Sequence, residues 1–86
     1  MSAPQPTRTD LAKAIRELRT AHGLTLDTLA AKAGMHTTYL SRIERGHSSP
    51  TWEKLTGIAA ALGLPISAIV AAAQAQADGP DGARGR

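Results

Sequence analysis

The chain has no cysteine and no phenylalanine, and its 86 residues include one tryptophan and one tyrosine. Without cysteine there are neither disulfides nor thiolate metal sites, so packing alone must hold the fold. Without phenylalanine the core must be aliphatic, built from Leu, Ile and many Ala, which favours close helix–helix contact over a sheet. β-Branched runs alternating with period two, the mark of strands, are missing too. So are the apolar run of a signal peptide and any stretch near the ~18 uninterrupted apolar residues of a membrane helix. A soluble, cytoplasmic protein is expected. The length leaves room for one small domain and one core, near the lower end of what folds unaided.

Charge is modest, with ten basic against seven acidic side chains, a net of +3 and a pI near 10.0. Many proteins with no anionic partner carry such a surplus, but its placement is informative. Lys13, Arg16, Lys32, Arg42, Arg45 and Lys54 fall in the first four candidate helices, whereas Asp78 and Asp81 offset Arg84 and Arg86 in the tail.

Helical spacing of apolar residues organises the chain. Leu11, Ile15 and Leu18 mark a first helix over about Arg8–His22, with Thr7 or Thr9 as cap and Gly23 as stop. A second runs over about Leu26–Ala33, from the cap Thr25 to Gly34, and a third over about Thr37–Arg45, ended by Gly46. At 100° per residue the third helix puts Tyr39, Leu40 and Ile43 on one side. Thr37, Thr38, Ser41, Arg42 and Arg45 fall within roughly a 140° arc on the other. One face is built for burial and the other for donating hydrogen bonds. After the turn His47-Ser48-Ser49-Pro50, Thr51 caps a fourth helix striped by Trp52, Leu55, Ile58, Ala59 and Leu62. A fifth, about Ile66–Ala77, carries Ile66, Ile69, Val70 and Ala73 as its main stripe, and Ala68, Ala71, Ala72 and Ala75 make its other faces apolar. Residues 1–7 and 78–86, rich in Pro, Gly and polar residues, are expected to be disordered ends of a domain spanning 8–77. The fold class is therefore all-α, with five helices.

Several residues invite chemistry that the pattern does not support. The imidazole of His36 invites a pH-switch or metal reading, but His22 and His47 lie on separate loops with no acidic cluster beside them, so no metal site is expected. Ser, His and Asp occur without a Gly-flanked nucleophile elbow or a phosphate-binding loop, which argues against an enzyme and leaves no cofactor or small-molecule ligand implied. Trp52 can stack on a nucleobase, yet its place in the fourth-helix stripe assigns it to the core.

Two short helices joined through a Gly turn, inside five helices with a basic bias, resemble the helix-turn-helix proteins of the phage-repressor and Cro class, the xenobiotic-response-element family. The resemblance spans roughly Asp10–Val70 and rests on IRELR at Ile15–Arg19, LAAKAG at Leu29–Gly34, YLSRIERG at Tyr39–Gly46, Pro50, and ALGLP at Ala61–Pro65. It implies that Thr37–Arg45 is a recognition helix entering the major groove of double-stranded DNA, with Leu26–Ala33 lying across the backbone above it. Thr37, Thr38 and Arg42 match positions from which family members read bases; Arg can take guanine O6 and N7 together, and Thr can hydrogen-bond or offer its methyl to thymine. Arg16, His36, Ser41 and Arg45 are the expected backbone contacts. Arg19 and Glu44 match positions that form a partly buried ion pair between the first and third helices. Two positions depart from the family pattern: Leu26 stands where a phosphate-binding Gln is common, and His36 where a Ser or Thr cap is common.

The resulting expectation is a sequence-specific regulator that is the whole protein, without a sensor domain, acting as a homodimer through Ala68, Ala71, Ala72 and Ala75 on a palindromic operator. The alternative keeps the fold but not the DNA. It is a protein-interaction module, antitoxin-like, with the fifth helix as docking surface, motivated by Leu26 and the Ala-rich last helix.

Overall fold

Three threonines start helices in the same way. The hydroxyls of Thr7, Thr25 and Thr51 accept from the backbone N–H groups of Asp10 (3.1 Å), Thr28 (3.1 Å) and Lys54 (3.2 Å), each satisfying an orphan donor of a first turn. At Thr7 the Asp10 carboxylate returns a bond to the Thr7 N–H at 2.8 Å, so this threonine, and not Thr9, caps the first helix. The computed structural model describes residues 4–79, which form α1 (Arg8–Ala21), α2 (Leu26–Ala33), α3 (Thr37–Glu44), α4 (Trp52–Leu62) and α5 (Ile66–Asp78), with no strand among them. α1 and α3 stop one residue earlier than the sequence pattern suggests and α5 runs one further, the ordinary play of helix ends. Among the described residues no single helix is long and apolar enough to cross a membrane.

Every helix contributes at least one side chain to a single core. Ile15, Leu29, Leu40, Ile43, Ile58 and Ile69 are fully buried, with Ala30, Ala59 and Leu62 filling between them. Among the described residues no polar or charged residue is buried as a whole with them. α5 lies mainly along α1 and α4 along α2, and Ala12, Ala14 and Ala73 are buried as well. Gly57 permits that second approach: a Cβ there would stand 3.3 Å from the carbonyl oxygen of Ala33 at the end of α2.

Two stripe assignments need correction. Trp52 is 66% exposed and Val70 50% exposed. On α4 the burial centres on Ile58 and Leu62, roughly 100° around the axis from Trp52, the first residue of the helix. On α5 the buried set narrows to Ile69 and Ala73, and Val70 is turned about 80° from their centre to the solvent side.

The expected disordered ends fall partly outside the described residues, which exclude 1–3 and 80–86. Within them, Thr7 belongs to the cap of α1, Pro4 accepts a hydrogen bond from Gln74 Nε2 of α5 at 2.9 Å, and Asp78 closes α5.

Candidate nucleic-acid interface

The turn between α2 and α3 is three residues, Gly34-Met35-His36. Gly34 takes a left-handed backbone (φ 72°), which lets the N–H of Met35 return to the carbonyl of Ala30 at 2.9 Å and closes α2. The chain then enters α3 at His36, whose side chain makes no capping bond. An eight-residue helix without a side-chain cap has little stability of its own. Burial of Leu40 and Ile43 holds it against the rest of the core, with Tyr39 packed at the margin.

Those anchors fix what faces outward. Thr38, Arg42 and Arg45 are exposed, and Thr37 and Ser41 are half-buried beside them. Arg42 is oriented by the loop that follows: its Nε donates to Ser48 Oγ at 3.1 Å, and its two terminal nitrogens have no hydrogen-bond partner among the described residues. Thr37 is oriented by α2, donating from Oγ1 to Asp27 Oδ1 at 2.8 Å. The three residues expected to read bases are thus on one face, two of them tethered.

Under α3 lies an ion pair. Arg19 donates from Nε to Glu44 Oε2 at 2.7 Å and from Nη2 to Oε1 at 3.0 Å, and from Nη1 to the carbonyl of Leu24 at 2.9 Å. The side chains are 14% and 6% exposed. The hydrogen bond to Glu44 raises the pKa of Arg19 above its ordinary value, partly opposed by desolvation and helped by the carboxylate's charge. This fork-to-fork arrangement ties the third helix to the first and to the loop before α2.

Beside the pair opens a cleft of about 280 Å³ lined by Arg16, Arg19, Leu26, Ser41, Glu44 and Arg45. It brings together three of the four expected backbone contacts, Arg16, Ser41 and Arg45. His36 is not among them; it sits at the opposite end of α3, exposed. Leu26 packs its half-buried side chain against the core margin, so α2 offers no side-chain donor at its first position.

The small residues of α5 divide. Ala71 and Ala75 are exposed, whereas Ala68 and Ala72 are half-buried at the flank of the α1 contact. The open strip therefore runs through Val70, Ala71 and Ala75. Among the described residues no three His, Asp or Glu side chains cluster as a metal site would require.

Sequence reasoning missed Asp27 and Ser48. An acid in the first turn of α2 reads as a response to the helix dipole, and a serine before a proline reads as a turn residue; neither pattern names its partner across the fold.

Comparison with known proteins agrees with this geometry. Over 56 residues, 65% of the chain, the sequence is 38% identical to the HTH-type transcriptional regulator DdrOP3 of Deinococcus deserti, and the match takes in 43% of that protein. The chain thus spans less than half the length of that curated relative. The solved structure of the clp gene regulator ClgR from Corynebacterium glutamicum resembles the fold with a TM-score of 0.75 at 32% identity, over 84% of this chain and 76% of that one. The restriction-modification controller protein C.AhdI from Aeromonas hydrophila does so with a TM-score of 0.71 at 31% identity, over 72% of this chain and 94% of the other. The helix-turn-helix family profile matches residues 15–69, from the buried Ile15 of α1 through both helices of the turn to the buried Ile69 of α5. On that match the chain belongs to the helix-turn-helix family, with the DNA-binding fold of transcriptional regulators.

Proposed function

We propose that this chain binds double-stranded DNA sequence-specifically as a transcriptional regulator, with α3 in the major groove. The observation that carries the reading is the outward face of α3. Thr37, Thr38 and Arg42 project together from a helix anchored on its other side by Leu40 and Ile43, and Arg42 presents a free guanidinium fork of the shape that guanine O6 and N7 accept. Arg16, Ser41 and Arg45 in the neighbouring cleft, and His36 at the far end of the helix, serve as backbone contacts. A DNA target implies action in the cytoplasm.

Two copies bind a palindromic site. One recognition helix reads only a few base pairs, too few to select a site among many competitors, and two-fold symmetry doubles the reading at half-sites ~34–36 Å apart or a multiple of that spacing. The strip Val70, Ala71 and Ala75 on α5, flanked by Ala68 and Ala72, supplies a face on which a second helix can approach closely.

A second reading has an observation of its own. Leu26 turns to the core margin in place of a phosphate donor, and α5 keeps its apolar strip, as suits an antitoxin-like interaction module that docks a protein on that helix. Selection of genomic fragments by the purified protein at ~50 mM salt separates the two, because the electrostatic attraction to phosphates is strong there. Recovery of one recurring palindrome supports the regulator, and absence of any bound duplex refutes it.

A further inference from the structure

Thr37 and Asp27 are ten residues apart in sequence, on different helices, and joined by a 2.8 Å hydrogen bond at the entrance of α3. A hydroxyl owns one proton and two lone pairs, and a carboxylate at neutral pH has no proton to give. The bond therefore has one polarity: Thr37 donates and Asp27 accepts. With its proton committed, the Thr37 oxygen can offer only lone pairs to anything in front of it.

In the major groove that polarity carries information. Adenine presents the N6 amine and cytosine the N4 amine, which donate, whereas guanine O6 and N7 and thymine O4 can only accept. We infer that Asp27 is a specificity-determining, positioning residue: by holding the proton of Thr37 it makes that position select an amine-bearing base, adenine or cytosine, over guanine or thymine. The inference rests on the proposal that α3 enters the groove.

Affinity gives no reason for an acid here. A carboxylate next to the residue that enters the groove adds a charge of the phosphates' own sign and weakens binding to every sequence alike. Specificity does give one, since a site discriminates by what it fails to satisfy in the wrong partner as much as by what it satisfies in the right one. A guanine or thymine opposite Thr37 meets lone pair against lone pair. Placement in the first turn of α2 also favours an acid through the helix dipole. That role by itself would alter stability and leave the preferred base untouched, so the two are separable.

The experiment is selection from randomised duplexes, at one stated salt concentration, by the wild type, Asp27→Asn, Thr37→Val, Thr37→Ser and Asp27→Asn/Thr37→Val, with circular dichroism confirming each fold. The wild type is expected to favour A or C over G or T at one half-site position by about tenfold, the worth of roughly one hydrogen bond. Asp27→Asn, whose amide can donate to Thr37 and release the hydroxyl proton, reduces that preference to about twofold while raising affinity for random duplex. Thr37→Ser keeps the preference, and Asp27→Asn has no further effect on it once Thr37 is Val. If the wild type selects a defined site and Asp27→Asn leaves its base profile unchanged, or shifts it equally in the Thr37→Val background, Asp27 has no such role while the groove reading stands. If the wild type selects no duplex at all, both fall together.

Discussion

Replacing Glu44 by Ala removes one member of the Arg19–Glu44 pair and leaves the other where it is. The guanidinium would keep one partner, the carbonyl of Leu24, and lose two charge-assisted bonds of 2.7 and 3.0 Å, with only 14% of its side chain in water to compensate. Stranding a partner of a buried pair costs ~3–5 kcal/mol, against at most about 1 for an exposed pair. The residual exposure of Arg19 and its bond to Leu24 place this case near the lower end, at about 3 kcal/mol. A domain of this length has of order 4–13 kcal/mol in all, at 0.05–0.15 per residue, so the loss is a large share of the total. At about 4–8 °C per kcal/mol for a domain of this size, the midpoint of thermal unfolding should fall by ~12–24 °C.

The assay should follow backbone helicity by circular dichroism in urea, since Trp52, already 66% exposed, is a poor reporter of unfolding. A double-mutant cycle with Arg19→Met isolates the pair, and Arg19→Met with Glu44→Leu should recover most of the stability by substituting an apolar contact. Because bonding to Glu44 raises the pKa of Arg19, its contribution is fully present below its unfolded value and is lost only as pH climbs through the folded one. Both lie in the strongly alkaline range, so on the arginine's account the pair's contribution is flat through neutral pH. A coupling energy near zero, or a loss of under 1 kcal/mol in Glu44→Ala, would refute burial as the source of the pair's strength.

Arg42→Ala should weaken binding to the selected site by ~1–3 kcal/mol and flatten discrimination at one base position; equal weakening on random duplex would make Arg42 a phosphate contact. Arg16→Ala and Arg45→Ala should each reduce the slope of log K against log salt by about 0.9 without changing the preferred sequence, measured by titration at several ionic strengths. Glu at Ala71 and Ala75, both exposed, should convert dimer to monomer in sedimentation and lower operator affinity with helicity intact, and a wild type that sediments as a monomer at tens of micromolar would exclude this interface. Trp52→Ala should cost under ~1 kcal/mol in urea denaturation, because most of the side chain is already in water; a loss like that of a core aromatic, ~3–5, would contradict the exposed placement.

What could be read in the sequence was what repeats along one helix. Leu40 and Ile43 against Thr38 and Arg42 is a local pattern, and so are the Thr caps and the Gly stops. Burial at the end of a helix is not local: Trp52 fits the α4 stripe by spacing, yet it stands 66% exposed at the start of the helix. The tethers of the outward face of α3 are less local still. Asp27 meets Thr37 across the turn and Ser48 meets Arg42 from the following loop, and both pairings depend on how α2, α3 and the loop are set in space. Arg19 and Glu44 could be named in advance only through resemblance, since nothing in their own neighbourhoods pairs residues twenty-five apart.

These tethers matter because α3 cannot hold itself. It has eight residues, no side-chain cap and no acid in its first turn, so its position is set by what lies beneath and beside it. Leu40 and Ile43 fix its depth, Glu44 fixes its last turn to α1 through Arg19, and Thr37 fixes its first turn to α2 through Asp27. Each connection reaches a different element, which is what a short helix needs if its outward residues are to meet fixed positions on a duplex. Loosening one end should therefore leave the other end's base preference in place: Glu44→Gln should blur discrimination near Arg42 before it affects the base opposite Thr37. Uniform blurring at all positions would mean that α3 moves as one rigid piece and that its two ends are not held separately.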